Sequence, residues 1–514
     1  MRMIQKIGLG MFLVALLVFN GLLFLGDFQL TEQKLKQVTS EQSFEILRQE
    51  LQPMLGKTYG SSFSFASAFN RHFDAYNQRQ QENEQWDRVI WDDYTFAATK
   101  AASEGFVANN RLLLLLLTIG LGTLGAFLNI LPKYREEPAG IKHNGVMFSS
   151  NKSRGIIGIT LGVYLIGIYV LLYWFPAYIV NWTLLVDPLS QLLSGGPASQ
   201  WFLYGTIYTL AILVMGVRMF RKYRGNNYQL LRTSSVMFFQ LSFAFLIPEI
   251  LVLLNKPWHD FKNIWPLDYT FFYDYRVDSM LSSGGIGLFM FVWGILLIIL
   301  GVPLLTYFYG KRWYCSWVCG CGGLAETAGD PYRHLSDKSL KAWRIERWMV
   351  HGVLVFAVVM TGVTIANYFS GFAMLGQWTN TLHEWYGFLI GAAFAGVVGV
   401  GFYPLMGNRV WCRFGCPLAA YLGIVQRFKS RFRITTNGGQ CISCGNCSTY
   451  CEMGIDVRWY AQRGQNIVRA SCVGCGVCAS VCPRGVLKLE NGPEQGRITD
   501  IPVLTGNESI NVLS

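Results

Sequence analysis

The chain has 514 residues, of which 52% are hydrophobic and only 14% are charged. This composition excludes an ordinary soluble protein of this size and predicts a membrane protein. The formal net charge of +12 is not gathered into one basic stripe, so we expect the lipid bilayer as a partner and no nucleic acid.

Eight segments are long and apolar enough to cross a bilayer, which takes about 20 helical residues. They are 7–26, 112–131, 155–178, 202–217, 235–254, 286–308, 349–369 and 385–404. The first resembles a signal peptide, but its length and the lack of a small-residue cleavage pattern predict an uncleaved anchor. Near the C-terminus, two cysteine quartets follow the pattern Cys-x2-Cys-x2-Cys-x3-Cys, which is typical of two-cluster ferredoxins. The predicted fold class is therefore an all-α polytopic membrane protein of about eight transmembrane helices, with a C-terminal α+β two-cluster ferredoxin domain.

The predicted organisation follows these spans in chain order. It comprises an N-terminal anchor (1–26), an extracytoplasmic region (27–110), a membrane domain with seven further helices (111–434), a ferredoxin domain (435–490) and a tail (491–514). The region 27–110 is rich in Gln, Glu and Ala, which predicts a helical hairpin or small bundle. It either docks a redox partner or packs as a cap on the membrane domain.

The basic residues are unevenly divided between alternate loops. The loops after the second, fourth and sixth predicted helices hold seventeen Lys and Arg residues, whereas those after the third, fifth and seventh hold three. Those three are Lys256, Lys262 and Arg276. Because cytoplasmic loops carry the Lys and Arg excess, both termini are predicted to be cytoplasmic, in a bacterial inner membrane.

The thirteen cysteines all lie at or after Cys315, so we expect reduced metal ligands rather than disulfides. Eight of them form two quartets with x2-x2-x3 spacing, typical of two-cluster [4Fe–4S] ferredoxins, in which each fourth cysteine serves the opposite cluster. Cluster 1 is predicted to use Cys441, Cys444, Cys447 and Cys482, and cluster 2 to use Cys472, Cys475, Cys478 and Cys451. The alternative, structural zinc, fits this spacing poorly. Glu452 follows the first quartet where Pro483 follows the second.

Four more cysteines form two Cys-x3-Cys pairs after the sixth and eighth predicted helices: Cys315, Cys319, Cys412 and Cys416. A spacing of four predicts that both sulfurs of a pair share one helix face, so that two pairs offer four thiolates to a third cluster. Two alternatives remain open, a redox dithiol or metal site and small buried packing residues. Cys321 is interpreted as a packing residue.

The twin Cys-x3-Cys sites and the two-cluster motif resemble the NapH/NosR/CcoG group of membrane polyferredoxins over roughly residues 286–489. In that group both pairs are followed by proline; here only Cys416 is, and Gly320 follows the first pair. The resemblance implies electron transfer between the quinol pool or a membrane partner and a redox partner, with quinol dehydrogenase as the class of any enzymatic activity. CcoG-like relatives imply the alternative of metal handling, with the paired cysteines reducing copper.

A quinone site needs an apolar slot and a proton-handling group near a cluster. The candidates are Glu249, Glu326 and His351. Each also has a plain structural interpretation as a local hydrogen-bonding or packing residue. Haem is not predicted, because His351 and His383 are expected near opposite membrane faces, and FMN is not predicted, because 27–110 lacks a flavinylation motif.

Overall fold

The structure is a computed structural model that describes residues 2–136, 139–140, 154–371, 373, 376, 378–437, 440–492, 503–504 and 510–511. The basic residues Lys142 and Lys152 and most of the predicted tail lie outside the described residues. Among the described residues, eight helices have the length and composition to cross a membrane. They are Met3–Phe24, Arg111–Lys133, Ile156–Trp174, Gln200–Lys222, Asn227–Leu253, Gly285–Tyr309, Leu340–Phe369 and Trp378–Gly401.

The predicted fold class is confirmed, although three of the helices begin well before their apolar segments do. The fifth begins at Asn227, the seventh at Leu340 and the eighth at Trp378, each several residues before the predicted start. Ser339 accepts a hydrogen bond from the amide of Ala342 and so caps the seventh helix. Hydropathy detects only the apolar part of a helix, so polar first turns were missed.

Four of the spanning helices contain a wider π-helical segment. These segments are Leu116–Gly120, Phe239–Leu246, Leu297–Gly301 and Gly387–Val398. A π-helical turn inserts an extra residue and re-aims the side chains that follow it.

The chain divides into two compact units, of which the first comprises residues 1–136 and 170–208. Outside the spanning helices this unit contains shorter helices, together with a small antiparallel sheet that was not predicted. The principal helices are Glu32–Val38, Glu41–Glu50, Ser62–Glu82, Thr95–Ala102 and Val180–Ser194. The strands, in sheet order, are Thr58–Tyr59, Asp27–Gln29 and Ser103–Glu104. They are too short to show an alternating hydrophobic pattern.

In this unit the first spanning helix crosses the helix Leu121–Glu136 at a pair of glycines. A Cβ atom added to Gly8 would lie 2.6 Å from the carbonyl oxygen of Gly125, and one added to Gly125 would lie 2.7 Å from that of Gly8. Membrane helices approach this closely only where residues are small.

We therefore expect Gly8→Val to destabilise the protein by about 1–3 kcal/mol, the usual effect of overpacking a close contact. The matched control is Gly10→Val in the same helix, where an added Cβ would meet nothing within 4 Å. Thermal unfolding in detergent checks the difference, and equal melting temperatures for the two variants would contradict the close crossing.

The second unit comprises residues 137–169 and 209–514 and contains all thirteen cysteines. Its shorter helices after the fifth spanning helix are Asp274–Ser282, Arg312–Cys315, Gly320–Thr327, Tyr403–Met406, Val410–Phe414 and Pro417–Lys429. The ferredoxin region adds Asn446–Thr449, Val457–Gln462 and Val477–Ser480. Its strands Phe432–Thr435 and Lys488–Asn491 pair antiparallel, and a two-residue ladder joins Val503–Leu504 to Ile510–Asn511.

Candidate iron–sulfur centres

The first paired-cysteine turn follows the sixth spanning helix. Cys315 is the last residue of the helix Arg312–Cys315, and Cys319 stands immediately before the helix Gly320–Thr327. The amide of Cys319 donates a hydrogen bond to the carbonyl of Tyr314 at 2.8 Å. This bond spans five residues and forms a wide turn that ends the first helix. The prediction that both sulfurs lie on one face of a single helix is wrong here, because the helix ends between them.

The second paired-cysteine turn follows the eighth spanning helix and has the same form. Cys412 lies in the helix Val410–Phe414, and Cys416 stands immediately before the helix Pro417–Lys429. The amide of Cys416 donates to the carbonyl of Trp411 at 2.9 Å. The single-helix prediction is wrong here too, because proline is accepted at the start of a helix but not in its interior.

Replacement of the proline by Gly320 does not change the first turn. The φ and ψ angles are −65° and 127° at Cys319, and −78° and 112° at Cys416. The sulfur of Cys416 accepts a hydrogen bond from the amide of Ala419 at 3.4 Å. Cys319 has no such cap bond, although the nearby amide of Gly322 helps to lower its pKa. Each of these two sulfurs therefore lies at a helix N-terminus, where amides stabilise a thiolate.

The two turns bring Cys315, Cys319, Cys412 and Cys416 into one buried cluster, the paired-cysteine site. Burial raises the pKa of Cys315 to about 12. Burial also raises the pKa of Cys416, and the charges of the other three thiolates raise it further, so all four sulfurs lie within electrostatic reach of one another. Buried thiolates this close repel one another unless a cationic centre neutralises them.

Cys321 adds a fifth thiol beside this site. A hydrogen bond with Cys321 is the main cause that lowers the pKa of Cys319 to about 6. Cys321 is partly exposed and packs against the same core as the four paired cysteines. It is thus next to the site rather than elsewhere in the membrane domain.

The first ferredoxin cavity is lined by Cys441, Cys444, Cys447 and Cys482. The first three come from one loop and the fourth from the second motif, the combination that the spacing predicts for cluster 1. Gly445 adopts φ +77° just after Cys444, a conformation that glycine allows without strain. Cys444 is exposed, so this cavity opens towards solvent.

The second ferredoxin cavity is lined by Cys451, Cys472, Cys475 and Cys478, the combination predicted for cluster 2. Gly474 adopts φ +63°, and a Cβ added there would lie 2.6 Å from Cβ of Arg312. The glycine therefore lets the cysteine loop pack directly against the first paired-cysteine turn.

In the part of the chain that the structure describes, no three Cys, His, Asp or Glu side chains converge closely enough to hold a single metal ion. A zinc ion bound at about 2.3 Å would require sulfurs within about 4 Å of one another. The two ferredoxin quartets are instead arranged around cavities.

A buried ion-pair network, formed by Arg232, Arg333, Arg409, Glu326 and Glu452, lies between the paired-cysteine site and the second ferredoxin cavity. Glu326 pairs with Arg232 at 3.0 Å and with Arg409 at 2.6 Å. Glu452 pairs with Arg409 at 3.1 Å and with Arg333 at 2.9 Å. None of the five side chains is more than 4% exposed. Such a network is stable only because every charge has a partner.

The same arginines touch the cysteines on both sides. Arg409 lies 3.7 Å from the sulfur of Cys412. Arg232 donates to the carbonyl of Cys475 at 2.7 Å, and Arg333 lies 3.9 Å from the Cys475 sulfur. The network thus connects the two sites electrostatically.

The two carboxylates of the network experience opposite pKa shifts. Burial alone would raise the pKa of Glu452, but the guanidinium groups of Arg333 and Arg409 outweigh it and hold that pKa well below its usual range. Burial raises the pKa of Glu326 despite its two arginine partners. Glu452, which stands where the second motif has proline, is therefore the fixed negative charge of the network.

Sequence reasoning missed a polar group in the loop between the fifth and sixth spanning helices. Asp260 and Lys262 form an ion pair at 3.0 Å with side chains only 11% and 10% exposed, and the neighbouring His259 is buried. Lys262 lies within electrostatic reach of Cys319. The distribution of basic residues predicts that Lys262 lies in an outward loop, whereas the structure buries it near the paired-cysteine site.

This loop packs among three spanning helices. The indole of Trp265 donates to Thr361 of the seventh helix, and Trp293 of the sixth donates to the carbonyl of Phe261. The ring of Tyr269 packs at a tilted angle against that of Tyr386 in the eighth, with 4.9 Å between the centroids. The sequence signal was an unusual density of aromatic residues for a loop, WHDFKNIWPLDYTFFYDY over 258–275.

The three quinone-site candidates lie in different environments. Glu249 is half-buried in the fifth spanning helix and lies near Trp258. Glu326 is occupied by the ion-pair network. His351 hydrogen-bonds with the carbonyl of Arg347 and lines a cavity of about 330 Å³ that also touches Cys412. The three are not brought together.

Comparison with known families supports iron–sulfur chemistry at these sites. The family described as a 4Fe-4S binding domain matches residues 291–339 and again residues 386–435, so each match contains one cysteine pair. The 4Fe-4S dicluster domain matches residues 440–487, which contain both ferredoxin quartets. The protein is therefore an iron–sulfur protein of the ferredoxin type with helices suited to a bilayer.

Named relatives agree with this class. YccM of Escherichia coli (strain K12), whose name proposes an electron transport role, is 26% identical over 158 residues, 29% of this chain and 43% of YccM. The methylamine utilization ferredoxin-type protein MauN of Paracoccus denitrificans (strain Pd 1222) is 28% identical over 163 residues, 30% of this chain and 53% of MauN. The chain thus spans about half the length of these relatives, and no solved structure matches it. The resemblance to the NapH/NosR/CcoG group stays a prediction.

Proposed function

We propose that the chain relays electrons between a donor in the membrane and a redox partner through three [4Fe–4S] clusters, one at the paired-cysteine site and two in the ferredoxin cavities. One contact carries this proposal. The hydroxyl of Ser316 donates to the carbonyl of Val473 at 2.8 Å. Because Ser316 follows Cys315 and Val473 follows Cys472, a single hydrogen bond links a ligand residue of the paired site to one of cluster 2.

The residues present fit such clusters. Each candidate site offers four cysteine sulfurs, the number that a cubane requires, and each cluster supplies one-electron redox chemistry when bound. The chain's own groups bury the paired-cysteine site and most of the second cavity, hold cationic side chains near their sulfurs and exclude bulk water.

The arrangement of the sites supports a path for the electrons between the membrane and the protein surface. The second ferredoxin cavity contacts the paired-cysteine turn, and its Cys478 lies within electrostatic reach of Cys447 in the first cavity. The first cavity ends at the exposed Cys444. We propose that a soluble or docked redox partner exchanges electrons there, with the region 27–110 as a second docking surface.

We propose quinol as the membrane donor, which gives the protein quinol dehydrogenase activity in a respiratory chain. Oxidation of one quinol releases two electrons and two protons, so the reaction needs both a redox centre and proton-accepting groups. His351, Glu249 and Glu326 remain the candidates from sequence, and the buried group of His259, Asp260 and Lys262 joins them because of its place near Cys319. The lipid-facing helices and the basic loops support an inner-membrane location with both termini in the cytoplasm.

Anaerobic mixing of the purified, iron-loaded protein with a short-chain quinol tests this function. We expect the visible absorbance of the clusters to bleach on mixing, and to recover when an oxidised quinone is added in excess. Dithionite provides the full-reduction control. If dithionite bleaches the clusters but no quinol does, the proposal that quinol is the donor is wrong, whereas the proposed relay between the clusters is unaffected.

A second candidate function is metal handling, in which the paired cysteines reduce or pass on a copper ion. The observation that favours it is the fifth thiol, Cys321, which is partly exposed and packs against the core that holds the paired cysteines. A four-cysteine cluster leaves this thiol unused, whereas metal transfer needs a spare soft ligand. If this function is correct, Cys321→Ser abolishes reduction of added Cu(II) without lowering the iron content.

A further inference from the structure

The cavity of about 330 Å³ beside His351 has an uncompensated positive charge. Its walls hold five cations and one carboxylate. These are Lys311, Arg347, Arg413, Arg427, Arg469 and Glu346. The carboxylate pairs with Arg413 at 2.7 Å, and among the described residues no other ion pair involves the remaining four cations. The cavity therefore carries a formal charge of +4, which favours an anionic occupant.

Several of these cations are held in place before any ligand arrives. Arg347 and Arg469 both stack on the ring of Trp343, with centroid distances of 5.1 and 5.0 Å. Lys311 is 2% exposed and donates to the carbonyls of Ala419 and Ala470. Preorganised cations lose little side-chain entropy when they bind an anion.

One donor at the cavity is buried and unused. Arg413 is 4% exposed, and its Nη2 has no hydrogen-bond partner within the described part of the chain. Its other nitrogens are occupied by Glu346 and by the carbonyl of Asp337. A buried guanidinium nitrogen without a partner is costly, so it points to a missing acceptor.

The cavity lies where the seventh helix changes from polar to apolar. Lys341, Arg344 and Arg347 precede Met349, from which point the helix is almost entirely apolar. Two large hydrophobic side chains near the cavity are exposed, Trp348 at 83% and Phe428 at 71%. Exposed aromatic residues beside basic ones are typical of the boundary between the headgroup and acyl regions of a bilayer.

We propose that this cavity binds the phosphodiester headgroup of an anionic phospholipid, with the acyl chains lying along Trp348 and Phe428. The positive charge of the cavity favours a phosphate group over a neutral quinol. The exposed side chains of Trp348 and Phe428 favour a lipid with acyl chains over free phosphate. The proposal goes beyond the electron relay but concerns a neighbouring site, because Cys412, a proposed cluster ligand, and His351, a quinone-site candidate, both line the cavity.

The full iron-loaded chain, delipidated in detergent, tests the proposal by native mass spectrometry and thermal unfolding. We expect phosphatidylglycerol to be retained at least tenfold more than phosphatidylcholine and to raise the melting temperature. Arg427→Gln combined with Arg469→Gln should abolish this preference. The matched control is Arg463→Gln, whose guanidinium stacks on Trp459 in the ferredoxin region.

Three outcomes would overturn the proposal. They are equal retention of the two lipids by the unmodified protein, equal protection by inorganic phosphate and by phosphatidylglycerol, and displacement of phosphatidylglycerol by a neutral quinol. The comparison of lipids on the unmodified protein needs no variant, so poor folding of the double variant leaves the test intact.

Discussion

Replacing Cys315 and Cys412 together with serine is expected to remove about four iron atoms per chain, the content of one cubane. Each turn supplies two of the four buried sulfurs, so the double change leaves only Cys319 and Cys416. Serine hydroxyls remain protonated at neutral pH and are poor iron ligands. The eight ferredoxin cysteines line separate cavities and should keep their iron.

Iron and acid-labile sulfide analysis of anaerobically purified protein measures this loss, and low-temperature EPR of the reduced protein shows which signal disappears. Cys321→Ser is the matched control, because it removes a neighbouring thiol outside the four-sulfur set and should leave the iron content unchanged. Unchanged iron in the double variant would contradict a third cluster and favour a dithiol or transient metal site.

Removing the central charge of the ion-pair network should have the second large effect. Arg409 is fully buried and pairs with both carboxylates, Glu326 and Glu452. Arg409→Gln leaves each carboxylate one remaining arginine, Arg232 or Arg333, instead of two. Breaking a buried pair typically costs about 3–5 kcal/mol, and we expect unfolding stability to fall by about 3 kcal/mol.

The same substitution should lower two reduction potentials. Arg409 lies beside the sulfur of Cys412, and its carboxylate partner Glu452 adjoins Cys451 of the second cavity. Loss of a buried positive charge disfavours the added electron, so the potentials of both neighbouring centres should become more negative. A purely structural role would change stability alone.

Chemical unfolding in detergent and EPR-monitored redox titration provide the two measurements. Arg409→Lys keeps the positive charge, although it loses the bidentate geometry. Both reduction potentials should therefore stay close to those of the unmodified protein. Arg463→Gln removes an exposed arginine outside the network and is the control, which should change neither the stability nor the potentials. Normal stability and unchanged potentials in Arg409→Gln would show that the network has neither role.

The sequence alone was sufficient to predict those features that depend on the spacing of nearby residues. Ferredoxin loops place Cys441, Cys444 and Cys447 around one cavity because three cysteines at x2 spacing can wrap one side of a cubane. The eight spans followed from apolar length alone. Both properties are carried by a few adjacent residues, so no tertiary information was needed.

The ion-pair network could not be predicted, because its members come from distant parts of the chain. Glu326 and Glu452 are more than a hundred residues apart, and only folding brings both against Arg409. Glu452 was noticed merely as the residue that replaces a proline. The buried loop that holds Asp260 and Lys262 was misplaced for a related reason, since charge counting assumes that polar residues between spans reach water.

The paired-cysteine turns have an implication for how such a site arises. The same family pattern and the same wide turn occur twice in one chain, and each copy contributes only half of a ligand set. One copy meeting its twin in a second subunit would supply the same four sulfurs. Two copies within one polypeptide complete a four-sulfur set without a second subunit. The two copies need not be identical, since Gly320 follows Cys319 where Pro417 follows Cys416.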